Sequence, residues 1–293
     1  MRVLILGGGG MLGHKLWQVL PQHFDTWMTI RKTRQDYSKI PLFQSKQEIE
    51  NLDVSDFRSV QKVLAELKPQ VIVNCIAVTK RHMDPKNHVA SITLNSLLPH
   101  QLAHWGQENG TRIIHFSTDC VFDGKSGGYT EDNLTDADDV YGKTKALGEL
   151  HGPGCVTIRS SFIGREISHH TELVEWFLDQ KGKSIKGFRQ AIYTGLTTPV
   201  AARVVQKVIA EFPSLSGLYH VASEPITKFE LLTLLKEAFK LNVEIKPEDS
   251  FVCRRNLIGT RFKEATRFVA PSWKEMIAEL AMDPTPYDQW RAV

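Results

Sequence analysis

The stretch RVLILGGGGMLG, residues 2–13, decides the fold of this chain. Apolar residues typical of a strand run directly into glycine, and Gly7, Gly10 and Gly13 form the spacing G-x-x-G-x-x-G. A helical pattern follows over residues 11–20. Glycines at a strand-to-helix turn allow a tight bend and a close backbone approach to a pyrophosphate, and the helix N-terminus supplies free N–H groups. The stretch therefore predicts the first βα turn of a dinucleotide-binding fold.

The first half of the chain repeats this alternation of strand and helix. Further strands are predicted at residues 25–32, 52–54, 71–77, 112–118 and 155–160, and helices at 55–67 (with Ser55 as N-cap), 88–108 and 141–150. The strands are apolar on both faces, which is typical of a parallel sheet covered by helices on both sides. The expected fold class is α/β, a Rossmann-type doubly wound parallel sheet with a smaller C-terminal substrate-binding region.

The second half is less regular. It contains four amphipathic helical patterns and one further strand at 218–222, and two of the helices begin with predicted capping boxes, Thr227 with Glu230 and Ser272 with Glu275. We expect an NAD(P)-binding Rossmann domain over 1–163, with about 190–224 returning to it. Residues 164–293 should form mainly the substrate-binding region, packed against the first.

Composition excludes several classes of protein. The 293 residues are 42% hydrophobic and 24% charged, and the net charge of +3 is scattered, which argues against disorder and against a nucleic-acid or membrane surface. The apolar opening is too short for a signal peptide, and no apolar run reaches the ~18–20 residues of a membrane span. The four cysteines and eleven histidines lack metal or disulfide spacing. We expect a cytoplasmic protein with reduced thiols and no metal.

The end of the predicted second strand, TIRKTR, indicates which dinucleotide is bound. An NAD-specific protein usually carries an acidic residue there for the ribose hydroxyls. Here Arg31, Lys32 and Arg34 supply cations that would attract a ribose 2′-phosphate. The alternative is an ordinary solvated basic loop. The pattern favours NADPH over NADH, and Asp53 with the backbone of Val54 is placed to read the adenine edge.

A second motif, DDVYGKTKALGEL, places Tyr141 and Lys145 four residues apart and hence on one face of a helix. Alone, this short pattern is also typical of an exposed Tyr beside an exposed Lys. The stretch HFSTDCVFDG leaves a strand at its carboxyl end, where open α/β sheets bind ligands, and presents Ser117, Thr118 and Asp119. Because Tyr141 follows Thr118 by 23 residues, downstream of the glycine turn, we interpret it as half of a catalytic pair.

These motifs resemble the extended short-chain dehydrogenase/reductase superfamily and, within it, the dTDP-4-dehydrorhamnose reductase family, which carries STDYVFDG followed by YGKTK-x-x-GE. The resemblance covers essentially the whole chain, including VNCIA, NSLLPHQLA, IRSSF and PSWKEMI. It implies that Tyr141 gives a proton to a ketone, that Lys145 tunes Tyr141 and binds the nicotinamide ribose, and that Thr118 holds the substrate oxygen. Asn95 would either anchor a water or the helix near Lys145, or be structural.

The site implied by the resemblance is larger than these residues. Candidate cofactor contacts are Gly7, Gly10, Met11, Leu12, Gly13, Arg31, Lys32, Asp53, Val54, Cys75, Ala77 and Lys145, and candidate substrate contacts are Thr118, Asp119, Cys120 and Phe162. Four departures from the family concern the sugar pocket: Cys120 for Tyr, Phe162 for Trp, and the stretches YTGLTTP (193–199) and VTKRHMDP (78–85).

The function implied is NADPH-dependent reduction of the 4-keto group of a nucleotide-activated, dTDP- or related, 6-deoxy sugar, in deoxysugar or polysaccharide precursor synthesis. Two alternatives stay open. One is a nucleotide-sugar epimerase or dehydratase with bound NAD. The other is a non-catalytic NADP-binding regulatory subunit that resembles the methionine adenosyltransferase beta subunit. Homodimers are common in the superfamily, although the sequence carries no interface pattern.

Overall fold

Twelve strands and eleven helices make up residues 1–291, the part of the chain that the computed structural model describes. The strands are β1 (Arg2–Leu6), β2 (Asp25–Thr29), β3 (Glu48–Ile49), β4 (Val71–Asn74), β5 (Arg112–Ser117), β6 (Cys155–Arg159), β7 (Phe162–Ile163), β8 (Ser184–Tyr193), β9 (Leu196–Thr197), β10 (Gly217–His220), β11 (Ile226–Thr227) and β12 (Glu244–Arg254). The helices are α1 (Met11–Val19), α2 (Phe57–Leu67), α3 (Val89–Ser91), α4 (Leu98–Asn109), α5 (Val140–Leu147), α6 (Leu173–Leu178), α7 (Thr198–Glu211), α8 (Lys228–Ala238), α9 (Thr260–Thr266), α10 (Trp273–Ala281) and α11 (Tyr287–Arg291). A π-helical segment, Ile92–Leu97, joins α3 to α4.

The central sheet has seven strands in the order β10-β6-β5-β4-β1-β2-β3, and all its pairings are parallel. Alternate residues of β1 enter different cores: Val3 and Ile5 pack in the one that contains α1 and α7, and Leu4 and Leu6 in the one that contains α2 and α4. Burial on both faces explains why these strands are uniformly apolar. The predicted Rossmann-type fold is confirmed.

Two local predictions are wrong. Residues 52–54 form no strand, because the Asp53 carboxylate accepts hydrogen bonds from the backbone N–H and hydroxyl of Ser55 and turns the chain; the third strand lies earlier, at β3. For the same reason Ser55 does not cap α2. Asp56 does, accepting from the backbone N–H of Arg58 at 3.1 Å. The second and fourth strands also end sooner than predicted, at Thr29 and Asn74.

The second half adds a three-stranded sheet, β11-β8-β12, and a parallel pair, β7-β9. Both predicted capping boxes are confirmed at the starts of α8 and α10. Leu231 of α8 and Met276 of α10 belong to the same core as Val3 and Ile5, so the two halves share one apolar interior. β10 joins the central sheet beside β6. The division into domains at 163 stays a prediction.

The last described segment of the chain returns to the first helix. Lys15 of α1 forms an ion pair with Asp283 at 2.5 Å, and both side chains are 7% exposed. Gln18 donates to the Thr285 hydroxyl at 2.8 Å. His14 Nε2 lies 2.8 Å from the Tyr287 hydroxyl. These contacts, together with Leu12 and Leu16 in the core, fix the helix that follows the glycine turn.

No helix among residues 1–291 has the length and apolar character needed to cross a bilayer. All four cysteines are free thiols.

Candidate active site

The glycine turn between β1 and α1 has the geometry of a phosphate-binding turn. Gly7 has a φ of +87°, which side chains rarely adopt, and a Cβ on Gly13 would lie 2.0 Å from the Gly7 carbonyl oxygen. Gly10 caps α1 in extended conformation without a side-chain hydrogen bond. Within the described chain, the backbone N–H groups of Met11, Leu12 and Gly13 have no hydrogen-bond partner. A helix start that offers free N–H groups and no obstructing Cβ fits a pyrophosphate.

The end of β2 separates two kinds of basic residue. Arg31 and Lys32 are exposed, and neither forms an ion pair with any residue in 1–291. Arg34 instead donates to the Glu48 carbonyl oxygen at 2.8 Å and lies 3.5 Å from the Glu48 carboxylate, so it stabilises the position of β3. Of these three basic residues, Arg31 and Lys32 are therefore the ones left free to meet a phosphate.

The remaining predicted cofactor contacts lie around the same edge. The backbone N–H of Leu52 donates to the Ile30 carbonyl oxygen at 3.2 Å, which brings Asp53 and Val54 beside the end of β2. The hydrogen bonds from Ser55 help to lower the pKa of Asp53, so this carboxyl stays ionised. Cys75 and Ala77 follow β4.

The N–H of Cys75 donates to the Leu6 carbonyl oxygen at 3.0 Å, which places Cys75 directly beside the glycine turn. Its backbone carbonyl carbon is 3.5 Å from where a Cβ of Gly7 would be. Burial raises the pKa of the Cys75 thiol. This residue therefore forms an uncharged wall of the predicted nucleotide site.

Thr118 follows β5 at the carboxyl edge of the sheet and is buried. Its hydroxyl accepts from the backbone N–H of Cys120 at 3.1 Å and donates to the Asp119 carboxylate at 3.2 Å, so the sharp turn after the strand fixes its direction. Ser117 has another role: its hydroxyl donates to the buried carboxylate of Glu149 at 2.5 Å.

Tyr141 is brought to Thr118 by a close approach of α5 to that turn. Asp139 caps α5 by accepting from the Gly142 N–H at 2.8 Å, and a Cβ on Gly142 would lie 2.2 Å from the Cys120 carbonyl oxygen. Burial is the largest cause that raises the pKa of Tyr141, and Cys120 adds to it; the nearby Thr118 hydroxyl acts in the opposite direction. Tyr141 is thus a neutral phenol beside the Thr118 hydroxyl.

Lys145 lies one turn further along α5 and is 3% exposed. Its ammonium donates to the Phe116 carbonyl oxygen at 2.6 Å and lies 3.4 Å from His115 Nε2, both on β5. Burial lowers the pKa of Lys145 to about 8, against an opposing effect of the Glu149 carboxylate. The sequence pattern predicted that Tyr141 and Lys145 share one face of the helix; in the structure the hydrogen-bond partner of the ammonium is the backbone of β5.

Asn95, in the π-helical segment, ties the loop after β4 to α5. Its side-chain oxygen accepts from the Val78 N–H at 2.8 Å, and its NH2 group donates to the Val78 carbonyl oxygen at 3.0 Å and to the Thr144 hydroxyl at 3.2 Å. A Cβ on Gly148 would lie 1.9 Å from the Asn95 carbonyl oxygen. The side chain therefore holds the helix that carries Tyr141 and Lys145.

The predicted substrate side is lined by groups that the motifs did not identify. Arg255 donates to the Cys120 sulfur at 3.3 Å and to the Phe122 carbonyl oxygen at 2.9 Å. Lys80 forms an ion pair with Asp139, and the Lys80 Nζ lies 6.0 Å from the centroid of the Tyr141 ring. Of the predicted substrate contacts, Phe162 packs edge-on against Phe116 at 5.5 Å. Long cationic side chains give no periodic signal: the departure at 78–85 contains Lys80, whereas no pattern in the sequence singled out Arg255.

A buried ion pair behind the site was also missed. Arg159, at the end of β6, makes two hydrogen bonds of 2.8 and 2.6 Å to the Glu149 carboxylate, and its Nη1 lies 2.9 Å from His220 Nε2. The available signal was a charged residue inside the apolar run CVTIRS.

A Rossmann-type sheet with a glycine turn in its first crossover, and with Thr, Tyr and Lys side chains at its carboxyl edge, defines a protein of the extended short-chain dehydrogenase/reductase class. The family model described as RmlD substrate binding domain matches residues 1–283. The chain belongs to this family, which confirms the resemblance found in the motifs.

Among curated relatives, the chain is 29% identical over 235 residues to dTDP-4-dehydrorhamnose reductase of Aggregatibacter actinomycetemcomitans, covering 76% of this chain and 74% of the relative. It is 28% identical over 251 residues to the spore coat polysaccharide biosynthesis protein SpsK of Bacillus subtilis, covering 83% and 81%. It is also 26% identical over 253 residues to methionine adenosyltransferase 2 subunit beta of Xenopus tropicalis, covering 82% and 72%.

Solved structures agree on the fold. A dTDP-4-dehydrorhamnose reductase from Bacillus anthracis in complex with NADP superposes with a TM-score of 0.78 at 22% identity, covering 95% of this chain and 98% of that one. The dTDP-glucose 4,6-dehydratase of the same organism, in complex with NAD, gives 0.78 at 15% identity, covering 100% and 99%. At these identities the likeness establishes the architecture alone.

Proposed function

We propose that this protein reduces the 4-keto group of a nucleotide-activated, dTDP- or related, 6-deoxy sugar with NADPH. The observation that carries the proposal is the meeting of Thr118 and Tyr141 at the carboxyl edge of the sheet whose first crossover is the glycine turn. Relatives named for dTDP-4-dehydrorhamnose reduction and for spore coat polysaccharide synthesis support this substrate class.

The residues present fit the dinucleotide. The N–H groups of Met11, Leu12 and Gly13 would hold its pyrophosphate, and Arg31 with Lys32 would hold a ribose 2′-phosphate. Asp53 and Val54 would lie along the adenine edge. The dinucleotide supplies the hydride that reduces the ketone carbon.

Tyr141 donates the proton to the ketone oxygen, which Thr118 orients through its hydroxyl. The raised pKa keeps the phenol protonated, but it also makes the phenol a weak acid. Bringing even an ordinary phenol from its pKa of ~10 to neutrality takes ~3 units, or ~4 kcal/mol of phenolate stabilisation, and burial adds to that requirement. Lys145, with a pKa of about 8, is mostly charged at neutral pH and lies one turn away. It stabilises the phenolate and binds the nicotinamide ribose, while Asn95 holds its helix.

Asp119, Cys120 and Phe162 form the sugar side of the site, with Arg255 behind Cys120. A cytoplasmic location and a homodimer remain part of this proposal.

The similarity to methionine adenosyltransferase 2 subunit beta favours a second candidate, a regulatory subunit that keeps the cofactor site without turnover. An epimerase or dehydratase would differ again, because NAD would survive purification and be visible by its absorbance.

The test is NADPH consumption with a panel of nucleotide 4-keto sugars, comparing wild type with Tyr141→Phe. Loss of the general acid should lower kcat by about 10²–10⁴-fold. The affinity for NADPH, measured by calorimetry, should be unchanged because the phenol is not a phosphate contact.

Tyr219→Phe is the matched control, since the Tyr219 hydroxyl donates to the Ser216 carbonyl oxygen at the far edge of the sheet. It should retain wild-type turnover. Full activity of Tyr141→Phe would contradict the mechanism, and NADPH binding without turnover across the panel would favour the regulatory subunit.

A further inference from the structure

Two buried polar side chains lie behind Lys145, His115 on β5 and Asn74 on β4, and the stretches HFSTDCVFDG and VNCIA that contain them assign neither a role. His115 of β5 is fully buried, with its Nε2 3.4 Å from Lys145 Nζ. Its Nδ1 lies 3.2 Å from Asn74 Nδ2, and Asn74 is the register partner of His115 on β4. A buried imidazole is destabilising unless its ring nitrogens are hydrogen-bonded. Both nitrogens of His115 have polar neighbours, so this arrangement can act on Lys145.

The hydrogen bonds fix the tautomer of His115. The Asn74 side-chain oxygen accepts from the Ile76 backbone N–H at 3.1 Å, which turns the Asn74 NH2 group towards His115 Nδ1. Nδ1 must then be the acceptor. Burial, and then the charge of Lys145, lower the pKa of His115 well below its ordinary value, so the imidazole is neutral and carries its hydrogen on Nε2. The edge that faces Lys145 is therefore an N–H.

We propose that His115 is a positioning residue for Lys145: held in one tautomer by Asn74, it presents an N–H edge to the amine and so governs where that amine lies and when it is charged. A neutral amine can accept from this N–H, whereas an ammonium cannot. The Phe116 carbonyl oxygen accepts from either form. The imidazole thus favours loss of the proton from Lys145 and leaves the Phe116 carbonyl oxygen as the acceptor that the ammonium uses on β5.

Other charged groups near Lys145 do not replace this effect. Glu149, just past the end of α5, favours the ammonium, but its carboxylate is already paired with Arg159 of β6. His100 of α4 acts on His115 and has its own ring nitrogen 2.7 Å from the Leu147 carbonyl oxygen. His115 is the polar side chain of β5 that directly meets Lys145 Nζ.

The inference rests on the role of Lys145 in the proposed function, and its test uses cofactor binding so that no substrate is needed. The NADPH dissociation constant is measured from about pH 6 to about pH 10, the range in which Lys145 titrates. Binding should weaken at alkaline pH as Lys145 loses its charge, and we call this rise of the dissociation constant the alkaline limb. In His115→Gln the amide oxygen can accept from the ammonium, so the alkaline limb should move to higher pH by about half a unit to one unit. Asn74→Asp should move the limb the same way, because a carboxylate demands the hydrogen on Nδ1 and leaves Nε2 as an acceptor.

The double variant separates the tautomer from simple charge. If Asn74 acts through the imidazole, the Asn74→Asp shift should shrink in the His115→Gln background. Thr157→Val is the matched control: Thr157 is the buried register partner of His115 on β6, and among residues 1–291 its hydroxyl bonds only to the Leu150 backbone. It should leave the limb unchanged, and thermal unfolding verifies that every variant is folded.

An unmoved limb in His115→Gln overturns the proposal, and so does an Asn74→Asp shift of the same size in both backgrounds. Asn74→Asp is nearly isosteric, so it provides the test even if His115→Gln does not fold. Turnover that depends on Tyr141 with an unmoved limb rejects the positioning role alone. A moved limb with no turnover across the sugar panel rejects the proposed function alone.

Discussion

A single missing methyl group defines the cofactor end of the site. At Gly13 a Cβ would meet the Gly7 carbonyl oxygen at 2.0 Å, far inside van der Waals contact. The clash is with a backbone atom, which cannot rotate away as the end of a flexible side chain could. The turn can tighten around a phosphate only because this position has no side chain.

Gly13→Ala should therefore destabilise the fold by about 1–3 kcal/mol and abolish measurable NADPH binding, since the turn must open to admit the methyl group. Chemical denaturation and calorimetry measure the two effects. Gly152→Ala is the control, because a Cβ there meets nothing within 4 Å, and its stability should stay within about 0.5 kcal/mol of wild type. Tight NADPH binding by Gly13→Ala would contradict the role of the turn.

Residues whose role depends on the backbone could be predicted from the sequence, and residues whose role depends on a tertiary partner could not. Gly7 and Gly13 could be identified because glycines at that spacing, directly after a strand, are typical of a phosphate-binding turn. Lys145 was found as well, but its flexible side chain takes its partner from β5, 29 residues away along the chain. His115 looked like one polar residue in an apolar strand until the β4–β5 register placed Asn74 beside it.

At the scale of elements, strand type was predictable and strand ends were not. The run at 25–32 looked longer than β2, but the chain bends at Arg31 and Lys32, directly after the backbone N–H of Ile30 has bonded to Ile49. Residues 52–54 looked like a strand because Leu52 is buried, but Asp53 and Ser55 bond to each other and turn the chain. Local hydrogen bonds made by short polar side chains compete with strand pairing, and the pattern of apolar residues alone does not reveal this competition.

The end of β2 carries a prediction about cofactor choice. Replacing both free cations, in Arg31→Ser with Lys32→Ser, should weaken NADPH binding by about 10–100-fold, because two charge-assisted hydrogen bonds to the 2′-phosphate are lost. NADH binding should change little. Calorimetry with the two dinucleotides measures the difference.

Lys39→Ser is the control, an exposed cation of the same loop region, and should affect neither dinucleotide. Arg34→Ser should instead lower stability, since Arg34 fastens β3. An equal loss for NADPH and NADH in the double variant would be incompatible with a 2′-phosphate site.

At the scale of the whole molecule, the last segment of the described chain braces the first helix. Burial alone would raise the pKa of Asp283, but hydrogen bonds from Lys15 and Thr285 outweigh it and the pKa is lowered. The carboxylate is thus favoured by the fold. Its stabilising effect is present above the ordinary carboxyl pKa and is lost as the pH falls through the lowered value.

Asp283→Asn should lower the free energy of unfolding by about 3 kcal/mol, because it leaves the Lys15 ammonium buried without a counter-charge. The double variant Lys15→Met with Asp283→Leu should lose less, since neither charge remains. Urea unfolding measures both.

Asp249→Asn, which breaks the half-exposed pair with Arg189, should cost no more than about 1 kcal/mol. A double variant less stable than Asp283→Asn would show that the site depends on the charges themselves.

The brace between α1 and the segment at 283–287 also bears on how the protein is made. The glycine turn leaves the ribosome long before the segment that supports it, because Lys15 meets Asp283 only after 268 further residues have been synthesised. β10, which completes one edge of the parallel sheet, likewise arrives late, and such long-range pairing folds slowly. In a nascent chain α1 therefore lacks its contacts with residues 283–287 until that segment has been synthesised. The glycine turn gains its full support only after residues 283–287 have been synthesised and have packed against α1.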